Sequence, residues 1–267
     1  MRIEIAVVLG LSLGASAVYS IVAILNRLTQ AVPISQQTAT LNPSLSDRPI
    51  FDLVYQLLGI LFDLVPVVLV LYLLWEPGRS AFARLGFDAR RPLRDLGNGV
   101  LLVAVIGIPG LALYAAGRAL GITPSIVTSG LSPEWWTIPV LVLSALRSAL
   151  TEELIVVGYL FTRLQELGVG RWPTILGSAA LRGSYHLYQG VGSFVGNFAM
   201  GVVFGWVYAK WGRTTPLVIA HWILDIVSFV GYPLALAWFP GLFGSPAERA
   251  YAKASGGGHE HTRLRSP

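Results

Sequence analysis

Seven apolar stretches, each close to the length that crosses a lipid bilayer, limit what this chain can fold into. A spanning helix takes about 20 mostly apolar residues. Such runs lie at 5–25, 51–75, 96–120, 138–161, 172–188, 194–209 and 216–239. They are continuous rather than alternating, which argues against a membrane β-barrel. Of the 267 residues, 54% are hydrophobic and 12% are charged. An average soluble domain carries about 25% charged residues. A disordered chain, a basic nucleic-acid-binding domain and an ordinary soluble globule are therefore excluded, and no nucleic-acid partner is expected. The expected fold is all-α: a polytopic transmembrane helical bundle of seven spans, or eight with a short segment near 234–243. It forms one domain over 1–243, followed by a flexible tail at 244–267.

The tail contains Ser255-Gly256-Gly257-Gly258, a flexible composition. His259 and His261 read as part of that disordered end rather than as a metal site. Ala15-Ser16-Ala17 resembles a small-residue cleavage site, but the apolar run continues to Leu25, so the first run reads as a span. The chain has no cysteine, which removes disulfides, thiolate zinc sites and a cysteine nucleophile.

Loop charges predict the orientation. Arg79, Arg84, Arg90, Arg91 and Arg94 fall in one loop, Arg163 and Arg171 in a second, and Lys210 and Arg213 in a third. The loops at 121–137 and 189–193 contain no Lys or Arg. The positive-inside rule then places the N-terminus and the arginine-rich loop in the cytoplasm of a bacterial-type plasma membrane. Phe82, Leu85, Phe87 and Leu93 lie among those arginines, a pattern suited to an anionic membrane surface. Arg249, Lys253, Arg263 and Arg265 in the tail strain a seven-span scheme and motivate the eighth segment.

Ionisable side chains inside spans are costly, so each is a functional hypothesis. The set comprises Asp52 and Asp63 in the second run, Arg147, Glu152 and Glu153 in the fourth, Arg182 and His186 in the fifth, and His221 and Asp225 in the seventh. Arg182 and His186 share a helix face, as do His221 and Asp225. At 1.5 Å per residue, Glu152 lies roughly 15 Å, His186 roughly 20 Å and His221 roughly 8–10 Å from the cytoplasmic ends of their runs. A carboxylate and two histidines at comparable depth suit two chemistries. One is a general base with a histidine partner activating water. The other is a zinc site of Glu152, His186 and His221. Arg147 and Arg182 read as counter-charges to the acids, and Asp63 as an ion-pair or hydrogen-bonding partner.

Three short segments carry a resemblance: Glu152-Glu153-Leu154-Ile155-Val156-Val157-Gly158, then Arg182-Gly183-Ser184-Tyr185-His186, then His221-Trp222-Ile223-Leu224-Asp225. In this order, with Phe198, Gly201 and Gly205 between them, the chain resembles the CAAX-protease and bacteriocin-processing family of intramembrane endopeptidases, which includes the type 2 CAAX prenyl endopeptidases. The likeness covers about 138–230. It implies that Glu152 activates water with His186 as partner, that His221 and Asp225 polarise the scissile carbonyl or help hold a metal, and that Glu153 supports them. Two positions depart from the family pattern: Val157 stands where arginine is usual, and Arg182 stands where phenylalanine is frequent. A swap, with Arg182 reaching the Glu153 side of the fourth run, reconciles them.

The leading expectation is an intramembrane peptidase acting on a peptide or membrane-protein segment, with or without zinc. The alternative within the same family is a membrane immunity or chaperone protein that binds a peptide without cleaving it. A transporter with a proton relay is disfavoured because no internal repeat is evident.

Overall fold

The computed structural model describes residues 1–238. The tail, its two histidines and the second half of the segment near 234–243 lie outside the described residues. Helices α1 (Arg2–Gly10) and α2 (Leu13–Leu28) form one apolar unit bent by 56°. The bend has a local cause. Ser12 Oγ donates to the Val8 carbonyl at 2.6 Å, and a side chain at Gly14 would strike the Leu9 carbonyl. Serine and glycine at a break are a common source of kinks. Next come α3 (Pro49–Asp63), α4 (Val65–Leu73), the short α5 (Ala81–Leu85) and the long α6 (Pro92–Ala119). α7 (Thr137–Thr151) continues through a π-helical run, Glu152–Tyr159, into α8 (Leu160–Glu166). α9 (Arg171–Tyr185) turns back through Leu187–Gln189 into α10 (Val191–Trp211). α11 (Thr215–Ile226), a second π-helical run (Val227–Gly231) and α12 (Tyr232–Trp238) complete the described chain. Two three-residue strands, β1 (Thr38–Thr40) and β2 (Ser125–Val127), pair in parallel within the otherwise helical bundle.

Four helical segments are long and apolar enough to cross a membrane: Pro49–Leu73, Pro92–Ala119, Val191–Trp211 and Thr215–Leu234. The bent α1–α2 unit makes a fifth if it counts as one span. The apolar windows of the first two are only 11% buried, so most of their side chains face outward. Apolar surface on that scale belongs against lipid, and the chain is an integral membrane protein. Length and apolarity alone thus support four or five spans among the described residues and do not confirm the seven or eight read from the sequence.

The difference lies at 138–161 and 172–188. Both are helical, but α7 to α8 carries Arg147, Glu152, Glu153 and Arg163. α9 is about 22 Å long at 1.5 Å per residue, short of the roughly 30 Å hydrocarbon core. It contains Gly177, Ser178, Ala179, Ala180, Gly183 and Ser184. Leu154 through Phe161 are buried, and α9 packs between α2 and α10, while Ile138 and Leu143 on α7 and Trp172 and Leu176 on α9 are exposed. Charge in α7 to α8 and shortness in α9 keep both out of the set that length and apolarity alone select.

Ion pairs gather the arginine-rich loops at one end. Arg163 pairs with Glu4 and Glu166, Arg84 with Glu76 and Glu166, and Arg213 with Asp88 and Asp95. The Arg213 guanidinium holds the Asp88 carboxyl below the usual carboxylate range. At the other end, the β1–β2 pair caps the α9–α10 hairpin. The hairpin turn lies inside the bundle: the Tyr188 N–H donates to Ser20 Oγ at 2.7 Å, about 12 Å short of the α2 terminus by helix rise. Gly190 makes the turn at φ +102°, and a Cβ there would sit 2.7 Å from Pro124 Cδ. Only glycine meets both conditions.

The π-helical run positions the two adjacent acids. Its wider turns leave carbonyls that α-helical bonding would have used, and hydroxyls take them up. Ser178 Oγ donates to the Val156 carbonyl at 2.8 Å, fully buried, and Thr162 Oγ1 donates to the Gly158 carbonyl. Ser178→Ala is therefore expected to destabilise the protein by about 1–3 kcal/mol, the desolvation penalty of an orphaned buried acceptor. Chemical unfolding in detergent measures it, and an unchanged midpoint would mean that the carbonyl finds another donor.

Candidate active site

Arg182, in the last turn of α9, organises the site. The α9 and α10 backbones almost touch: a Cβ on Gly201 would lie 2.8 Å from Ala179 Cα. That approach lays the fully buried Arg182 side chain against α10, with its guanidinium 5.6 Å from the Phe204 ring centroid. Nη2 donates to Glu153 Oε1 at 2.7 Å, and Nη1 lies 3.4 Å from Glu152 Oε2. One permanent cation thus faces two adjacent carboxylates, which offsets part of the penalty of burying them.

The acids occupy different surroundings. Glu153 has no solvent exposure, and its Oε1 also accepts from His221 Nδ1 at 2.7 Å. Its Oε2 is buried with no hydrogen-bond partner among the described residues. The Glu152 side chain keeps 10% exposure. Its Oε2 accepts from the Tyr185 hydroxyl at 2.8 Å, which leaves Oε1 available. His186 follows Tyr185 directly, and the two rings lie 4.8 Å apart. His186 Nδ1 sits 3.0 Å from the Arg182 carbonyl. A carbonyl only accepts, so Nδ1 carries the hydrogen and Nε2 keeps its lone pair.

His221 lies between two carboxylates. Its Nδ1 faces Glu153, and its Nε2 is 3.5 Å from Asp225 Oδ2. The close partner that orients the ring is Glu153, one helix away. Asp225, one turn further along α11, is the more distant contact, and its side chain is 22% exposed. Glu152, Glu153, Arg182 and His221 therefore form one cluster, with Tyr185 bonded to Glu152, the His186 ring beside Tyr185, and Asp225 at the rim. Arg147 is turned elsewhere, to Asp63 at 2.9 Å and Ser144 at 3.1 Å. Val157 is fully buried in an apolar cluster with Phe161, Ile175, Phe204 and Leu217.

Oxygen or nitrogen atoms of Glu152, Glu153 and His221 lie within 4.8 Å of one another, a spacing that invites a metal. The charges argue otherwise. Arg182 already pairs with both carboxylates, and Glu153 Oε1 already accepts from two donors. Zinc needs ligands at about 2.0–2.2 Å, which would place a dication beside a buried guanidinium. His186, expected as a ligand, is not part of the triplet. The donor set does not fit zinc.

Two contributors escaped the sequence reading. Tyr185 holds Glu152, and Phe204 lies under Arg182. Aromatic residues at these positions look like ordinary core, and only the neighbouring motif residues could have drawn attention to them. No curated protein and no solved structure matched the chain. Residues 134–227, which include every member of this cluster, match the family model described as type II CAAX prenyl endopeptidase Rce1-like, a protease family.

Proposed function

We propose that this protein is an intramembrane endopeptidase that hydrolyses a peptide bond in a membrane-associated peptide or protein, with Glu152 rather than a metal activating water. The observation that carries this reading is the unequal treatment of the two acids. Glu153 is fully enclosed, with Oε1 shared by Arg182 and His221 and Oε2 shut away from solvent, whereas Glu152 is fixed through Oε2 by Tyr185 and keeps partial exposure. A fixed carboxylate with a free oxygen, beside a histidine with a free Nε2, is equipped to take a proton from water.

The steps follow from these placements. Glu152 Oε1 removes a proton from water positioned with His186 Nε2. The hydroxide adds to the scissile carbonyl carbon. When His221 carries both ring protons, Nε2–H donates to the developing oxyanion while Nδ1–H stays on Glu153. Asp225 as a carboxylate only accepts, so it steadies the imidazolium rather than the oxyanion. Collapse breaks the C–N bond, and the proton held on Glu152 passes to the leaving amine. The N-terminus and the ion-paired loops take the cytoplasmic side in this reading.

One departure favours the non-catalytic immunity or chaperone reading. Val157 occupies the family's arginine position, and Arg182 close to Glu152 would serve a static ion pair as well as an active one. Incubation of the purified protein with a randomised peptide pool in oxygen-18 water separates the two. The expected result is new fragments, each with one heavy oxygen at its new carboxyl terminus, at a rate unchanged by EDTA. Absence of fragments would overturn the enzyme reading. Loss on chelation with recovery on adding zinc would overturn the metal-free mechanism.

A further inference from the structure

A cavity of about 890 Å³ lies in the half of the bundle away from the arginine-rich loops. Its walls are the second half of α6, the first half of α10, and the stretch of α11 and the π-helical turn beyond Leu224; β2 and its flanking residues roof it. The size falls within the roughly 300–1,000 Å³ of sites that enclose small ligands. Gln189, three residues past His186, and Leu224, next to Asp225, are among the cavity's lining residues, whereas Glu152, His186, His221 and Asp225 themselves are not.

Two features describe what the cavity would take. Gln189, Ser193 and Asn197 set a polar row at helical spacing along an otherwise apolar wall. The second feature is the edge of β2. The Ser125 N–H donates to the Gln37 carbonyl, and the Val127 carbonyl accepts from Leu41 N–H, so both residues face β1. Ile126, between them, directs its N–H and carbonyl the other way; the N–H donates to the Tyr114 hydroxyl at 3.4 Å, which leaves the carbonyl as the edge's acceptor. Ile126 and Tyr114 both border the cavity. A strand edge and polar groups set in an apolar cavity match the main chain of an extended peptide. An acyl chain would leave those groups unpaired.

The opposite approach is sealed. From Glu153 toward the arginine-rich end, residues Leu154 through Phe161 are buried between two apolar clusters, one with Val70, Leu74 and Leu85, the other with Ile175, Phe204 and Leu217. Beyond them lie the ion pairs of Arg163 and Arg84. A substrate arriving from that side would have to unpack the core.

We propose that the substrate segment reaches Glu152 from the membrane face opposite the arginine-rich loops, lying extended in this cavity with a main-chain N–H donating to the Ile126 carbonyl. The word substrate rests on the peptidase reading, but both the route and the pairing are measurable without turnover. The chain has no cysteine, so single cysteines report access. Ser228→Cys lines the cavity, Ser132→Cys marks the loop before α7, and Ser80→Cys marks the arginine-rich loop. An impermeant thiol reagent should label Ser228→Cys from the same membrane side as Ser132→Cys and opposite to Ser80→Cys. Labelling from the Ser80→Cys side, or from neither side, overturns the route.

In detergent, with Glu152→Gln added to block cleavage, a randomised short-peptide pool should slow labelling of Ser228→Cys by about tenfold as the cavity fills. The same pool with N-methylated backbones should not, and neither should oleate. Equal protection by N-methylated peptides, protection by oleate, or no protection at all overturns the strand-paired peptide. Protection without any cleavage by the wild type would sink the peptidase reading and leave this one standing. Cleavage without protection would do the reverse.

Discussion

Glu152→Gln is expected to lower turnover of a cleaved peptide by about 10³-fold, inside the ~10²–10⁴ range that a positioned general base supplies. Glutamine keeps the shape of the side chain and an oxygen to accept from Tyr185, but it cannot take a proton from water. The fold should tolerate it, because Arg182 still has Glu153 at 2.7 Å. Glu153→Gln should behave differently. It weakens the buried contacts to Arg182 and His221 together, so the thermal midpoint falls first and activity falls as a consequence. Initial rates at matched folded fraction, alongside thermal unfolding of both variants, distinguish the roles. Near-normal turnover in Glu152→Gln would remove it as the base. Equal losses in both variants, with both fully folded, would mean that the acids act as one unit.

The sequence located this cluster because charge at membrane depth stands out against an apolar background. Glu152, Glu153, Arg182, His186, His221 and Asp225 could be named without coordinates for that reason alone. Their pairing was less legible. Asp225 looked like the partner of His221 because helix periodicity brings residues four apart onto one face. Periodicity is silent about a neighbouring helix, and Glu153 approaches closer from there. The π-helical run was invisible for a related reason: a 3.6-residue repeat was assumed, and Leu154-Ile155-Val156-Val157 is apolar in any helical register.

Apolar runs in the sequence number seven because the count is blind to how charge and small residues interrupt a run. The charges of α7 to α8 and the 15-residue length of α9 separate these two from the four or five segments that length and apolarity select. The β1–β2 pair joins residues 38–40 to 125–127 across most of the N-terminal half. Strands of three residues leave no alternation long enough to detect.

Arg182 should carry the largest stability effect in the molecule. Its removal leaves two adjacent carboxylates buried without their cation, and breaking a buried pair from one side typically costs about 3–5 kcal/mol. Arg182→Ala is therefore expected to unfold the protein at working temperature or to lower its thermal midpoint sharply. Arg182→Lys should fall between: it keeps the charge but cannot reach Glu152 and Glu153 with separate nitrogens of one planar group. The informative partner is Val157→Arg. Val157 lies in the same apolar cluster as Phe204, the ring beneath the Arg182 guanidinium. In the wild type a second arginine there would bury an unpaired cation and destabilise. In Arg182→Ala the space beside Phe204 and the two acids await a guanidinium, so the same substitution should stabilise. The expected double-mutant cycle thus shows a change of sign, with an interaction energy in the upper part of the 0.5–3 kcal/mol seen for coupled neighbours. Thermal unfolding of the four proteins in one detergent provides the measurement. Equal destabilisation by Val157→Arg in both backgrounds would break the link between the two positions. A reversal would mean that the acid pair requires a cation at one place in space and accepts it from either helix.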